Sequence, residues 1–401
     1  MSNKSYKHWI IVLLMCCLAA SSIGLCTNAI GVFYTPVSQS LKVLKSTFAL
    51  HATLSTLATA FTSLKISKVI KKHPYKKILF IGVIFSSGAT WLMSYCTSVY
   101  SFYILGILRG IGVGIYGMVP ITVVITNWFD KKHGLATSLA LSFSGLSGAI
   151  LSPLLSSWII RYGWQMTYRF MAICIFILVL PALIIPWNID PQKEDLLPYG
   201  YKKRKQAVHI QNNKINLLTI SFMCMCLLTL LHTSIIGISQ HLSGIAVSIQ
   251  LSATLGATLM SLAMIGNIST KLLIGLLSDL FTPVKAVIMM ILTNCVSLVL
   301  LFIGVTRQET ALLYIGSFMF GSIYSAGAVG IPMLTHYFFG NENYAKTYSV
   351  IGFLTNVGNA SSLTLIGYLY DFTNSYQIVF IIALCFHLIN LILLGTICLK
   401  R

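Results

Sequence analysis

Twelve apolar stretches of about 20 residues follow one another along the chain, each long enough to cross roughly 30 Å of hydrocarbon as a helix. They run approximately over residues 9–34, 46–66, 78–97, 101–126, 135–160, 167–187, 215–238, 247–276, 286–305, 311–335, 347–369 and 376–398 of the 401. A soluble domain carries about 25% charged residues; this chain has 9%, with 56% hydrophobic. The expected fold class is therefore an all-α membrane protein with twelve transmembrane helices. The first stretch runs past Cys26 to Asn28 and Tyr34 with no small-residue cleavage site, so it reads as a retained helix and not a signal peptide.

The 27 Lys and Arg outnumber 8 Asp and Glu, for a formal charge of +19. On a soluble chain that excess would suggest a nucleic-acid partner, but its placement gives another reading. Clusters follow the even-numbered spans: Lys65 to Lys77 after the second, Lys131 and Lys132 after the fourth, and Lys202 to Lys205 after the sixth. Only Lys42, Lys45, Arg161, Arg169 and Arg307 fall on the other side. Basic residues concentrate on cytoplasmic loops, so the expectation is a multi-pass cell-membrane protein with both termini cytoplasmic and no nucleic-acid partner. All ten cysteines lie in or beside spans, which gives no extracellular disulfide framework, and Cys224-x-Cys226 points its two thiols about 200° apart on a helix. No metal and no cofactor is expected.

The longest polar interruption, 188–214, divides the chain into an N-terminal bundle (1–187), a linker and a C-terminal bundle (215–401). Ser67 to Lys77 corresponds to Gly275 to Lys285, and Pro120 and Phe129 correspond to Pro332 and Phe338, at a steady offset of about 210 residues. A duplicated six-helix unit with a long middle loop is a transporter architecture.

Two segments then carry a resemblance. Gly275-Leu-Leu-Ser-Asp279-Leu-Phe-Thr-Pro-Val-Lys285 keeps the Gly, the Asp and the last basic residue of the G-x-x-x-D-[RK]-x-G-x-[RK]-[RK] loop of the major facilitator superfamily, and Gly106-Ile-Leu-Arg109-Gly110-Ile-Gly112-Val-Gly114 resembles its R-x-x-x-G-x-G-type fourth helix. The resemblance implies two pseudo-symmetric six-helix bundles, with Asp279, Gly275 and Lys285 in a gate. In the first half Lys71 stands where that motif has Asp. Asn127-Trp-Phe-Asp-Lys-Lys-His-Gly134, with Ser144-Gly145-Leu-Ser-Gly148 and Pro153, is similar to the branch of oxalate/formate antiporters and monocarboxylate carriers. That branch places a substrate-binding Arg where this chain has Lys271. It also uses a Lys in the eleventh helix, where 347–369 carries no charge, so a monoanion is implied over a dianion.

Every acidic residue falls in a loop or at a helix end, and the charges inside spans are Arg109 and Lys271. An unpaired cation at mid-membrane costs several kcal/mol. An anionic small molecule is thus the economical partner, and guanidinium holds carboxylate bidentately. The competing readings are structural: Arg109 forking onto carbonyls of the first helix, and Lys271 reaching out to the aqueous surface. Asn28, Tyr34, Tyr116, His232, Tyr324 and Asn356 are polar at cavity depth; such a residue is more often an interhelical hydrogen bond than a ligand contact. His51 and His232 are the interior groups that could carry a proton. The expected function is non-enzymatic: secondary transport of a small organic monocarboxylate by alternating access, with the lipid bilayer as surroundings and the chain acting as a monomer. Efflux of drugs or amphipathic solutes is the alternative, although helix 5 departs from the drug-antiporter G-P-x-x-G-G pattern and no interior acid is present.

Overall fold

The computed structural model describes residues 5–201, 219–251, 253–373 and 375–399. The basic run Lys202 to Lys205, with Lys4, Lys214, Lys400 and Arg401, lies outside the described residues. The described chain is helical almost throughout, and eight of its helices are long and apolar enough to cross a membrane. Two of them are too long for one crossing. His133–Ile184 holds 52 residues and Ile331–Thr373 holds 43, and each is broken by a glycine, Gly163 (φ 79°, ψ 165°) and Gly340 (φ 71°, ψ 172°). That backbone region is essentially closed to side chains with a Cβ. Divided there, the eight give ten crossings, and Lys45–Lys72 with Ile220–Thr233 stand at the second and seventh of the twelve expected positions.

Three spans depart from expectation in form. The first span is not one regular helix: Ser5–Ala19 widens into a π-helical stretch, Ala20–Asn28, tightens over Ala29–Phe33 and resumes as Tyr34–Ser40. The tenth span opens in the same way over Ala326–Gly330. The seventh runs on, as Ile220–Thr233 and then Ile238–Ser248, so the eighth starts at Ala253 and not at 247. No charged residue marks the seventh span's end; the chain turns at Gln250, whose φ is 62°.

Contacts divide the chain into two units, 1–129 with 139–199 and 348–356, and 130–138 with 200–347 and 357–401. These depart from the linear halves by two exchanges, 130–138 and 348–356. In the first unit Lys45–Lys72 packs on Val99–Tyr116 along Gly106, Gly110 and Gly114. A Cβ at Gly110 would lie 2.1 Å from Ser55 O and one at Gly106 2.6 Å from His51 O, so the four-residue glycine spacing brings the two backbones together. Thr59 Oγ1 donates to Gly110 O at 2.9 Å across that seam. The start of the linker folds back on the same unit: Trp128 Nε1 donates to Asn188 O at 3.0 Å, Tyr199 N donates to Trp128 O at 2.7 Å, and Lys7 pairs with Glu194.

In the second unit Ala253–Leu280 crosses Thr310–Phe320 where a Cβ on Gly266 would meet Phe318 O at 1.9 Å. Pro283–Arg307 starts at Thr282, whose hydroxyl accepts from Lys285 N, with Pro283 in the first turn where its missing N–H costs nothing. Ser297 Oγ donates to Gly316 O at 2.7 Å, and Asn294 Nδ2 donates to Phe320 O at 3.2 Å. An apolar core including Leu242, Leu259, Leu298, Leu301, Phe320 and Phe380 fills the space between.

Candidate functional site

The irregular first span is held open by side chains from elsewhere in its unit. Ser147 Oγ donates to Ala20 O at 3.0 Å, Ser21 Oγ to Ile175 O at 3.2 Å, and Asn28 Nδ2 to Ser144 O at 3.2 Å. All three bonds tie the stretch to its neighbours. π-helical stretches of this kind occur frequently at functional sites.

Arg109 lies beside this stretch, on Val99–Tyr116 and 1% exposed. Among the described residues it makes no fork onto first-helix carbonyls: its Nη1 donates to Met93 Sδ at 3.9 Å, and its Nε has no partner there. A thioether is a weak acceptor, so the guanidinium's capacity is largely unspent. Cys26, Tyr34, His51 and Tyr168 lie in the field of its charge. Tyr34 sits edge-on to His51 at 6.2 Å and to Phe48 at 6.0 Å. Phe33 stacks on Tyr168 at 4.0 Å. The charge of Arg109 thus acts on Tyr34, as the sequence led one to expect, and also on His51 and Tyr168.

Tyr116 is fully buried, its hydroxyl shared between Ser86 at 2.8 Å and Ser21 at 3.3 Å. That places it as a pin between three helices. Asn28 and Asn356 also spend their amides on carbonyls, Asn356 on Gly352 O in its own helix at 2.8 Å.

In the second unit Lys271 is 4% exposed, so it does not reach out to an aqueous surface. One helical turn before it, on the same face, stands Asn267, 3% exposed with its Oδ1 unpartnered among the described residues. His232 donates from Nε2 to Ile323 O at 2.9 Å, and Tyr324 bonds Ser239. His232 also lies 5.8 Å from the ring of His387, which donates to Asn294 Oδ1 at 2.7 Å.

The third cluster is built on the loop residues named above. Asp279 accepts from Gly134 N at 3.2 Å and Leu135 N at 2.9 Å, in the first turn of His133–Ile184. A helix's first amides lack intrahelical partners and carry the positive end of its dipole, so a carboxylate suits the place. Gly275, one turn earlier, lets the segments touch: a Cβ there would lie 2.1 Å from Ser138 Oγ. Nearby, the rings of His133 and His336 stack at 4.6 Å. Lys285 stands exposed at the start of the next helix, outside this contact.

The sequence marks His51 only as a titrating group, and it does not mark Tyr168 or Asn267 as site residues. Asn267 is within reach of sequence reasoning, through its four-residue spacing from Lys271. Tyr168 carries no linear signal, because its place beside Arg109 is set by helix packing.

The family described as Major Facilitator Superfamily matches residues 16–243 and 217–401. Among relatives, the chain is 24% identical over 195 residues to an uncharacterized MFS-type transporter, YcxA, of Bacillus subtilis, covering 48% of each chain. It thus spans about half the length of that relative. It is 25% identical over 328 residues to monocarboxylate transporter 12 of Xenopus laevis, covering 76% of this chain and 70% of that one, and 20% identical over 333 residues to the sialic acid transporter NanX of Escherichia coli, covering 81% and 78%. The solved structure of the proton:xylose symporter XylE superposes with a TM-score of 0.74 at 15% identity, covering 97% and 95%; at that identity the likeness is one of fold. With a family match across both halves and an all-helical fold of the same kind, the chain belongs to the major facilitator superfamily, a multi-pass membrane protein and not an enzyme.

Proposed function

We propose that this secondary transporter moves a small organic monocarboxylate by alternating access. The observation that carries the reading is the state of Arg109: a 1% exposed guanidinium whose protein partner is a thioether sulfur, with Nε unspent. A buried cation needs a counter-charge, and none of the described carboxylates supplies one. Asp130, Glu309 and Glu342 are exposed, Asp279 caps a helix and Glu194 pairs with Lys7. A carboxylate substrate answers that need in charge and shape. Lys271, buried in the other unit, adds a second positive centre. Two relatives named for organic acids, the monocarboxylate transporter and the sialic acid transporter, support the same class.

Asp279 with Gly275 acts as a latch on the 130–138 segment, and the excess of basic residues on the even-numbered loops supports a cytoplasmic location for both termini. The chain works as a monomer with no cofactor. Reconstituted protein carrying Lys271→Gln or Arg109→Gln should lose saturable uptake of its carboxylate while keeping its thermal transition. Unchanged uptake in both variants would remove these cations from the mechanism.

A further inference from the structure

The first unit carries a groove on its membrane-facing side, between the helix Tyr75–Leu92 and the helix that follows Gly163. Ser87, Gly88, Trp91, Ala172, Ile173 and Phe176 line it, and it holds about 280 Å³. Trp91 and Ile173 are 38% and 45% exposed, so in a multi-pass chain the groove opens to lipid. A Cβ at Gly88 would meet nothing within 4 Å, and the space exists because residue 88 has no side chain. Ser87 donates to Val83 O at 2.7 Å in its own helix. With that hydroxyl paired, the walls present hydrocarbon.

One end of this groove is cationic. Arg169 precedes Ala172, Ile173 and Phe176 by three, four and seven residues, the spacing of a single helix face. Its Nε donates to Ser94 Oγ at 3.1 Å, and its guanidinium lies over the Tyr95 ring, 4.7 Å from the centroid. Ser94 and Tyr95 stand one turn beyond Trp91, so these contacts join the two helices across the groove's end. Among the described residues the ion pair is Lys7 with Glu194, and Arg169 has no carboxylate. Its two terminal nitrogens have no hydrogen-bond partner there either. Tyr75–Leu92 begins beside Lys76 and Lys77 and finishes here, which puts Arg169 at the membrane face opposite the basic loops. Trp91 and Tyr95 are the amphipathic rings that occupy headgroup depth.

We propose that this groove binds an anionic phospholipid, with the phosphate on the terminal nitrogens of Arg169 and an acyl chain laid over Gly88 between Trp91, Ile173 and Phe176. A guanidinium fork matches two phosphate oxygens, and Ser94 with Tyr95 holds that fork in place at the rim. The groove extends over about one turn of each helix, roughly 6 Å at 1.5 Å per residue. That length seats the head-proximal part of one acyl chain, whereas a transmembrane helix packs through rows of side chains over several turns. Selection falls to the head, because a chain leaving the groove for bulk lipid stays in hydrocarbon and forfeits only close contacts. A zwitterionic lipid carries its own ammonium beside the phosphate, which competes with Arg169; an anionic lipid has no such competitor.

The test titrates the full chain, in detergent, with dioleoyl phosphatidylglycerol, dioleoyl phosphatidylcholine and glycerol phosphate, and reads the affinity of the first bound molecule by native mass spectrometry. The parent should bind phosphatidylglycerol about tenfold more tightly than phosphatidylcholine, about what one hydrogen bond to a charged group contributes. Arg169→Gln keeps a donor for Ser94 and removes the charge; it should bring the two lipids within about twofold of each other. Gly88→Leu fills a space where a Cβ meets nothing within 4 Å. It should weaken both lipids together by about threefold, the loss of several dispersion contacts, and leave their ratio intact. Equal binding of the two lipids by the parent, or an undiminished preference in Arg169→Gln, overturns the proposal. Parent-like binding in Gly88→Leu places the chain elsewhere and overturns it as well. Glycerol phosphate that binds as tightly as phosphatidylglycerol makes the site one for a soluble anion and removes the lipid. Should Arg169→Gln fail to fold, the parent's ranking and Gly88→Leu decide the proposal.

Discussion

Replacing Asp279 by Ala removes the acceptor for two helix-starting amides, Gly134 N and Leu135 N, bonded at 3.2 and 2.9 Å. Hydrogen bonds to a charged group contribute about 1.5–3 kcal/mol each. Asp279 is exposed, so the lower figure applies, giving about 3 kcal/mol for the pair. At 1.4 kcal/mol per factor of ten, the opened state of the 133–136 turn should become about 100-fold more populated. Asp279→Asn keeps one carbonyl oxygen, so about half the stabilisation and a roughly tenfold effect are expected from the lost bond and charge. Native-state hydrogen exchange of a peptide spanning 133–136 reads this directly, because amide protection follows the local opening equilibrium. The two variants should exchange in the order Ala, Asn, parent, with amides of the 75–92 helix unchanged as an internal control. Transport should slow or leak in the same order if the latch times the cycle. Parent-like exchange in Asp279→Ala, in a protein that keeps its thermal transition, would refute the latch.

Two further substitutions test how glycine shapes the units. Gly340 has φ 71° and ψ 172°, and a Cβ there would meet nothing within 4 Å, so Gly340→Ala isolates backbone strain from crowding; about 1–3 kcal/mol of destabilisation is expected, measured as a lowered thermal midpoint. Gly110→Ala sets a Cβ 2.1 Å from Ser55 O and must push the paired helix backbones away from each other, so it should cost about 1–3 kcal/mol and disturb Arg109, its neighbour in the chain, whereas Ala at Gly88, where nothing lies within 4 Å, should be tolerated.

The glycine seam and the latch differ in how much the sequence alone discloses. Gly106, Gly110 and Gly114 recur every four residues, and a four-residue repeat of small side chains already specifies a close helix crossing; what it withholds is the partner, which proves to be the helix carrying His51, Ser55 and Thr62. Gly275 and Asp279 are marked by a local motif in the same way, but the amides they serve lie about 145 residues earlier, at Gly134 and Leu135. Local periodicity records what a helix face is suited to meet, and a single chain read without relatives holds no record of which face it meets.

The irregular stretch Ala20–Asn28 is hidden from sequence reading for a related reason. Its residues, Ala-Ser-Ser-Ile-Gly-Leu-Cys-Thr-Asn, read as ordinary apolar span, and the choice of a wider helix is made by Ser144, Ser147 and Ile175, which donate to it or accept from it across the unit. The same dependence explains why Tyr116, polar at cavity depth, spends its hydroxyl on Ser21 and Ser86. Hydrogen-bond capacity that remains unspent after folding is the better mark of a binding residue. By that criterion Arg109 stands out, so the first unit's site is defined less by the polar residues its sequence offers than by one whose partners the fold does not provide.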